Sequence, residues 1–269
     1  MGKIMKYRKG VFIVIYSKTE KGIEYLILKR KLHWKGWEFP KGGLENNENS
    51  QKTILRELKE ETGIKNPLII TKFDFSGKYK YEKELSDREG VIGQTFSLYG
   101  IRVKKQLIKV DSKEHSNYRW VDYNTAMSML TWPNQKKCLK LVNSWLKSMK
   151  FREVKLDSGN IVLMGRNEAE NEKLVREFLG KDNVIMHTVA SGSPFCVALE
   201  KPSAKEKKEI ASLCAAYSQD WRDNKQDVKV HVFTGKQVYK RPRMKIGTFG
   251  IKKAKIITAK KQDIIKWKK

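Results

Sequence analysis

The 269-residue chain contains no apolar run approaching the roughly 18–20 residues of a membrane-spanning helix. Its opening, MGKIMKYRKG, lacks the long apolar core of a secretory signal. Cysteine is scarce: Cys138, Cys196 and Cys214 are odd in number, widely spaced and set among apolar neighbours. That usage argues against a disulfide scaffold or a zinc site and fits buried thiols in a reducing cytosol. Acidic residues are also short, with 30 Asp and Glu against 57 Lys and Arg, a formal charge of +27. An excess of that size predicts a polyanionic partner, nucleic acid or an anionic surface; the plain alternative is a lysine-rich proteome. The expectation is a cytoplasmic protein with no membrane partner. Its length has room for two ordinary domains.

The chain is organised around Gly42–Ile64, GGLENNENSQKTILRELKEETGI. Ser50–Thr62 reads as a helix: Ser50 is a candidate cap, Ile54, Leu55 and Leu58 form an apolar stripe, and Gly63 suits a left-handed stop. Glu57, Glu60 and Glu61 then fall at i, i+3 and i+4, three carboxylates on one face. Like charges this close call for a divalent cation, and oxygen donors suit Mg²⁺ or Mn²⁺ held together with substrate phosphates. The bland reading is a solvated acidic face. Against it stands the Gly-Gly loop and Glu48 preceding the same helix.

Gly42-x5-Glu48-x7-Arg56-Glu57-Leu58-x-Glu60-Glu61-x-Gly63-Ile64 resembles the Nudix box at every specified position. The resemblance implies an α/β/α sandwich with a mixed sheet. It also implies metal-dependent cleavage of phosphoanhydrides in nucleotidic substrates. Glu57, Glu60 and Glu61 would be metal ligands, Glu57 or a neighbour would assist the attacking water, and Arg56 would hold the carboxylates. Lys41, with the Gly42-Gly43 loop, is a candidate at the phosphates; a solvent lysine is the alternative.

Before the box, Val11–Ile15 and Tyr25–Leu28 read as strands joined by a Ser17–Gly22 hairpin. After it, Thr71–Phe75 and Thr95–Val103 read as strands around a charged loop, Lys78–Gly90, whose Tyr79 and Tyr81 are candidates for the substrate mouth. Phe96 and Tyr99 are candidate base-stacking residues, at least one expected to be packed. Glu114-His115-Ser116-Asn117-Tyr118-Arg119-Trp120 resembles the diadenosine tetraphosphate hydrolase branch, as does the Trp37-Glu38-Phe39-Pro40-Lys41-Gly42 lead-in. The Phe39-Pro40-Lys41-Gly42 entry is shared with RNA 5′-pyrophosphohydrolases and decapping enzymes, so both substrate classes stay open. Glu114 is a candidate additional ligand or base, and His115 a candidate acid/base or phosphate donor; ordinary loop and structural roles are their alternatives. A helix over Asn134–Met149 closes this half.

From Lys150 the texture changes to α+β. Asn167 with Glu170, and Ser203 with Glu206, read as capping boxes, the second opening a helix through Trp221. Gly165-Arg166-Asn167-x3-Asn171, Asp182…His187, Gly192-Ser193-Pro194-Phe195, Ala215-Ala216-Tyr217-Ser218 and Lys240-Arg241-Pro242-x2-Lys245-x-Gly247-Thr248-Phe249 resemble the RNA-binding domain of the NFACT family. This implies RNA (tRNA, rRNA or an mRNA 5′ end) as partner, with Arg166, Asn167, His187, Lys240, Arg241 and Lys245 as contacts. Tyr217, Trp221 and Tyr239 are stacking candidates, a packed role being the alternative for Trp221.

The reading is therefore a Nudix domain over 1–148, an NFACT-R-like domain over 149–262 and a basic tail over 263–269, the two domains docked across a short junction. The expected function is a hydrolase of nucleotidic pyrophosphate bonds, in a dinucleoside polyphosphate or at an RNA 5′ end, coupled to RNA binding. The alternative from a different class is a non-catalytic RNA- or ribosome-binding protein that keeps the fold as a scaffold or nucleotide sensor.

Overall fold

A strand buried on both faces must be apolar throughout, and Val11–Ile15 is such a run. The computed structural model describes residues 6–82 and 89–268, divided into two compact units between Lys147 and Ser148. In the first unit the run is the centre of β1 (Lys6–Thr19). The elements that follow are β2 (Gly22–Arg30), β3 (Gly36–Glu38), β4 (Lys41–Gly43), α1 (Ser50–Thr62), β5 (Ile69–Lys80), β6 (Val91–Arg102), β7 (His115–Val121), α2 (Tyr123–Met129) and α3 (Pro133–Ser148). The sheet order is β3-β2-β1-β6-β5, with β4 also paired to β1 and β7 to β2. β1 and β6 run parallel and the other pairs antiparallel, so the sheet is mixed.

Alternation along β1 sorts its side chains. Val11, Ile13 and Ile15 pack with Ile54 and Leu58 of α1. Phe12, Val14 and Tyr16 pack with Cys138, Leu139, Val142 and Leu146 of α3. Two helical layers thus enclose the sheet. Phe96 stacks on Phe12 with centroids 3.8 Å apart, and Tyr99 is buried on the α1 side. Both aromatics are core: at least one was expected to be packed, and the other gives up its reading as a base-stacking candidate as well.

Helix α1 has the expected span and ends at Gly63 with φ 73°. Its cap is Asn49, not Ser50: the Asn49 side chain accepts from Lys52 N at 3.0 Å. Leu55 faces solvent, so the apolar stripe narrows to Ile54 and Leu58. The expected Lys78–Gly90 loop is shorter because β5 continues to Lys80, and its residues 83–88 lie outside the described residues.

The second unit contains β8 (Arg152–Lys155), β9 (Ile161–Met164), α4 (Glu168–Phe178), β10 (Val184–Thr188), β11 (Cys196–Ala198), α5 (Ala204–Ala216), α6 (Gln219–Asn224), β12 (Val228–Thr234), β13 (Val238–Tyr239), β14 (Gly250–Ile251), β15 (Lys255–Ala259) and α7 (Lys261–Ile265). An antiparallel sheet, β15-β12-β10-β11-β9-β8, packs Met164, Met186 and Val230 on Ala211, Cys214 and Ala215 of α5. Small side chains at that spacing let helix and sheet approach closely.

Three local expectations change here. Asn167 caps α4 through Glu170 N at 2.9 Å, but Glu170 Oε2 returns to Arg166 N, so the box is not reciprocal. The helix expected through Trp221 breaks in two because Ser218 Oγ accepts from Trp221 N at 3.1 Å and caps α6. Residues 263–268, read as a tail, are helical: Ile264 is fully buried and Trp267 packs on the same core. All three cysteines are buried and free. Among the described residues no helix is long and apolar enough to cross a membrane.

Candidate active site

The acidic helix meets the glycine loop across β4. Gly42 abuts Glu57 so closely that a Cβ there would collide with the carboxylate, and one on Gly43 would collide with Arg8. Glycine at these positions is therefore steric in purpose, letting a carboxylate and a guanidinium cross bare backbone. Glu57 and Glu61 are one helical turn apart and 7% and 5% exposed. Glu60 departs from them, with a side chain 56% exposed.

Arg56 organises the outer side. Its Nε and Nη2 donate to the two oxygens of Glu48, each at 2.9 Å, and Nη2 also donates to Gly43 O at 3.0 Å. Nη1 donates to Glu57 Oε1 at 2.8 Å and to Glu60 Oε2 at 3.1 Å. This guanidinium fixes three carboxylates and the glycine loop together. The Arg56 hydrogen bonds hold the Glu48 carboxyl down to about 2.

The inner side is drier. Burial pushes the Glu57 carboxyl up to about 7, Arg56 partly opposing and Glu60 adding to the rise. Glu61 is raised well above the ordinary carboxylate range, first by burial and then by the Glu57 charge. Two buried carboxylates that resist ionising together are an incomplete arrangement that positive charge would complete. Lys41 N donates to Glu61 Oε2 at 3.3 Å. Beneath them the fully buried Glu38 pairs with the Lys41 ammonium, accepts from Arg30 Nη1 at 3.4 Å and faces His115 Nε2 at 3.4 Å. Arg30 Nη1 also pairs with Glu114.

A cavity opens over this cluster, lined by Glu57, Glu61 and Glu114, by the cations Arg8, Arg30 and Lys41, and by aromatic side chains. Trp34 and Trp132 meet edge to face at 5.2 Å, and Tyr79 and Tyr81 at 5.9 Å. Carboxylates for a cation, cations for phosphate oxygens and flat rings for bases are all present. The structure thus gathers Glu57, Glu61, Glu114, Lys41, Gly42 and Gly43 at one cavity, with Arg56 and Glu60 on its outer flank. Arg8, Arg30, Glu38, Gln94, Trp34 and Trp132 carried no functional reading in the sequence. Arg8 and Gln94 become neighbours only through the parallel β1–β6 pairing, which no local pattern announces.

The donor set fits a hard divalent cation. Glu61, Glu114 and His115 each bring one potential ligand atom to within 4.8 Å of the others. His115 Nδ1 is buried without a hydrogen-bond partner.

In the second unit the RNA-contact candidates separate by role. Arg166 and Arg241 are exposed, Arg241 lying 5.1 Å from the Tyr239 ring centre, and Lys245 is exposed in the same loop. Asn167 is the α4 cap. His187 Nδ1 lies 2.7 Å from Thr188 O and its ring 4.5 Å from Phe195. The Lys240 side chain is 10% exposed and its Nζ donates to Glu172 Oε2, Lys245 O and Thr248 O at 2.7, 2.7 and 2.9 Å. Lys240 pins the loop that displays Arg241, Arg243 and Lys245. Of the aromatics, Trp221 is buried and Tyr217 lies under Arg152 at 4.1 Å.

A mixed sheet between two helical layers, with buried glutamates and basic side chains at one mouth, suits the hydrolysis of phosphoanhydride bonds. Residues 6–142 match the NUDIX domain and residues 149–253 the NFACT protein RNA binding domain. The chain belongs to the NUDIX family and carries an NFACT-type RNA-binding domain after it. An RNA pyrophosphohydrolase from a Nitratiruptor species is 32% identical over 143 residues, 50% of this chain and 92% of the relative. A C. elegans Ap4A hydrolase binary complex is 23% identical with a TM-score of 0.44, covering 52% of this chain and 98% of that one. The C-terminal part of the fibronectin/fibrinogen-binding protein from Streptococcus suis is 24% identical with a TM-score of 0.39, covering 43% and 47%.

Proposed function

We propose that this chain removes phosphate from the 5′ polyphosphate end of RNA, with a divalent cation at the acidic cavity and the C-terminal unit gripping the transcript. The observation that carries this reading is that phosphoanhydride hydrolysis and an RNA-binding domain share one polypeptide of net charge +27. The Nitratiruptor relative, an RNA pyrophosphohydrolase, supports it.

Glu57, Glu61 and Glu114 would hold the cation, Glu60 standing at the periphery, and Mg²⁺ or Mn²⁺ suits these donors. When bound, such a cation neutralises phosphate charge and makes water more acidic. Arg8, Arg30 and Lys41 bind the polyphosphate oxygens. Water oxygen attacks phosphorus, the bridging P–O bond breaks, and its electron pair leaves on the departing phosphate. The proton of the water passes to a carboxylate, Glu57 or Glu114. Arg56 holds Glu57 in place throughout.

A second reading, a free dinucleoside polyphosphate such as diadenosine tetraphosphate, is favoured by the two aromatic pairs, Trp34–Trp132 and Tyr79–Tyr81, in one cavity. Competition separates them. Under the first reading the chain releases phosphate from 5′-triphosphorylated RNA, and added RNA inhibits hydrolysis of diadenosine tetraphosphate. If no RNA end is processed and added RNA leaves that hydrolysis untouched, the second reading replaces the first.

A further inference from the structure

The sheet of the second unit has one face that stays partly open. Met186 of β10, Val230 of β12, and Ile257 and Ala259 of β15 pack toward α5. Side chains alternate along a strand, so His187, Lys229, His231, Ile256 and Thr258 turn to the opposite face. Register sets them in rows: His187 stands opposite His231 and His231 opposite Ile256, with Lys229 opposite Thr258 in the next row. Ile185 and Phe233, paired on the same face, are buried, whereas Ile256 is 57% exposed, both histidines are half-buried, and Lys229 and Thr258 are exposed. Two flat imidazoles and an isoleucine thus lie side by side, and every acidic or basic charge on the three strands is a lysine. Ring contacts tie this platform to the basic loop. His187 lies 4.5 Å from Phe195, Phe195 5.7 Å from Phe249, and Lys240 Nζ 4.7 Å from the Phe249 ring centre. Arg241, Arg243 and Lys245 are exposed on that loop. Flat and aliphatic side chains beside cations suit unpaired bases and their phosphates, whereas a duplex hides its base faces in the stack.

We propose that this half-open sheet face is a stacking platform for single-stranded RNA, His187, His231 and Ile256 taking unpaired bases while Lys229 and the loop of Arg241, Arg243 and Lys245 take the phosphates. The inference rests on the transcript-gripping role given above to the second unit, and it names the face and the form of RNA that the face takes. Charge selects this occupant: at a net +27, a second copy of the chain would be repelled from a face whose strands carry only basic charge.

The test is the affinity of the full chain for a labelled single-stranded RNA and for a duplex of the same length. A 5′-hydroxyl end and a chelator keep the cavity of the first unit out of the measurement. Wild type should prefer the single strand by at least about 10-fold. His231→Ala should weaken that binding by at least about 5-fold without changing the slope of log affinity against log salt, and His231→Phe, which keeps a flat ring, should restore it. Ile256→Glu, at an exposed position, should weaken it by at least about 10-fold. Ile265→Glu, the same charge change on exposed α7, should stay within about 2-fold of wild type. Preference for the duplex, or single-strand affinity unmoved by His231→Ala or by Ile256→Glu, would overturn this inference, give the face to a protein occupant and leave the transcript-gripping role standing. Failure of the wild type to bind either RNA would overturn both.

Discussion

Replacing Glu57 by glutamine should stabilise the metal-free protein while stopping turnover. The wild-type carboxyl is buried, and burial pushes it from 4.5 up to about 7, with Arg56 opposing. At about 1.4 kcal/mol per pH unit, that rise corresponds to about 3 kcal/mol. A carboxyl raised in the folded state gives stability that is complete below its unfolded value, near 4.5, and is lost as pH climbs through about 7. The penalty is therefore small at pH 5 and nearly full at pH 8. Glutamine keeps the oxygen that accepts from Arg56 Nη1 and carries no charge, so it escapes the penalty. Differential scanning calorimetry in chelator should find Glu57→Gln melting roughly 5–10 °C above wild type at pH 8, with a much smaller gap at pH 5. Saturating Mn²⁺ should narrow the gap by stabilising the wild type. A variant that melts at or below the wild type at pH 8 in chelator would refute the burial argument.

Other outcomes follow from the same geometry. Gly42→Ala puts a Cβ into the Glu57 carboxylate and should lower kcat by at least about 100-fold with the fold retained by circular dichroism; a loss of only a few-fold would contradict the close crossing. Lys240→Met removes the ammonium shared by Glu172 and two loop carbonyls, Glu172 keeping Arg176 Nε and Gly247 N, and should cost about 1–3 kcal/mol in denaturant unfolding, whereas Arg241→Gln should cost almost nothing. Arg241→Gln with Arg243→Gln should reduce the slope of log affinity against log salt for single-stranded RNA by about 0.7 for each phosphate no longer neutralised; an unchanged slope would remove this loop from the RNA surface.

What the sequence revealed tracks how local each feature is. The span of α1, its Gly63 stop and the acidic residues on it depend on neighbours a few positions away, and they were legible. The same periodicity placed Glu60 beside Glu57 and Glu61, but only an i, i+4 pair stays on the buried side, and Glu60 turns toward Arg56 and solvent. Glu114 was found through a motif. Its partner Arg30 was not, because β2 and β7 pair only in the folded sheet. Glu38 was visible as part of the Trp37–Gly42 motif but without a role, because Lys41, Arg30 and His115 surround it only in the folded sheet. In the second unit, Ser218 had the side chain of a helix cap, yet the small-residue periodicity of α5 masked the break. The spacing of Ile264 and Trp267, three apart in a lysine-rich end, was the available sign that these residues pack.

The central assignment is that buried carboxylates of α1 carry phosphoanhydride cleavage, and one paired measurement reaches it directly. Full-length Glu61→Gln and Glu60→Gln should be assayed beside wild type for phosphate release from 5′-triphosphorylated RNA and from diadenosine tetraphosphate, with Mg²⁺ and with Mn²⁺. RNA affinity should be measured on the same samples. Glu61→Gln should lose at least about 1,000-fold in turnover on whichever substrate is cleaved, Glu60→Gln distinctly less, and both should bind RNA as wild type does. Wild-type turnover by Glu61→Gln would contradict the assignment.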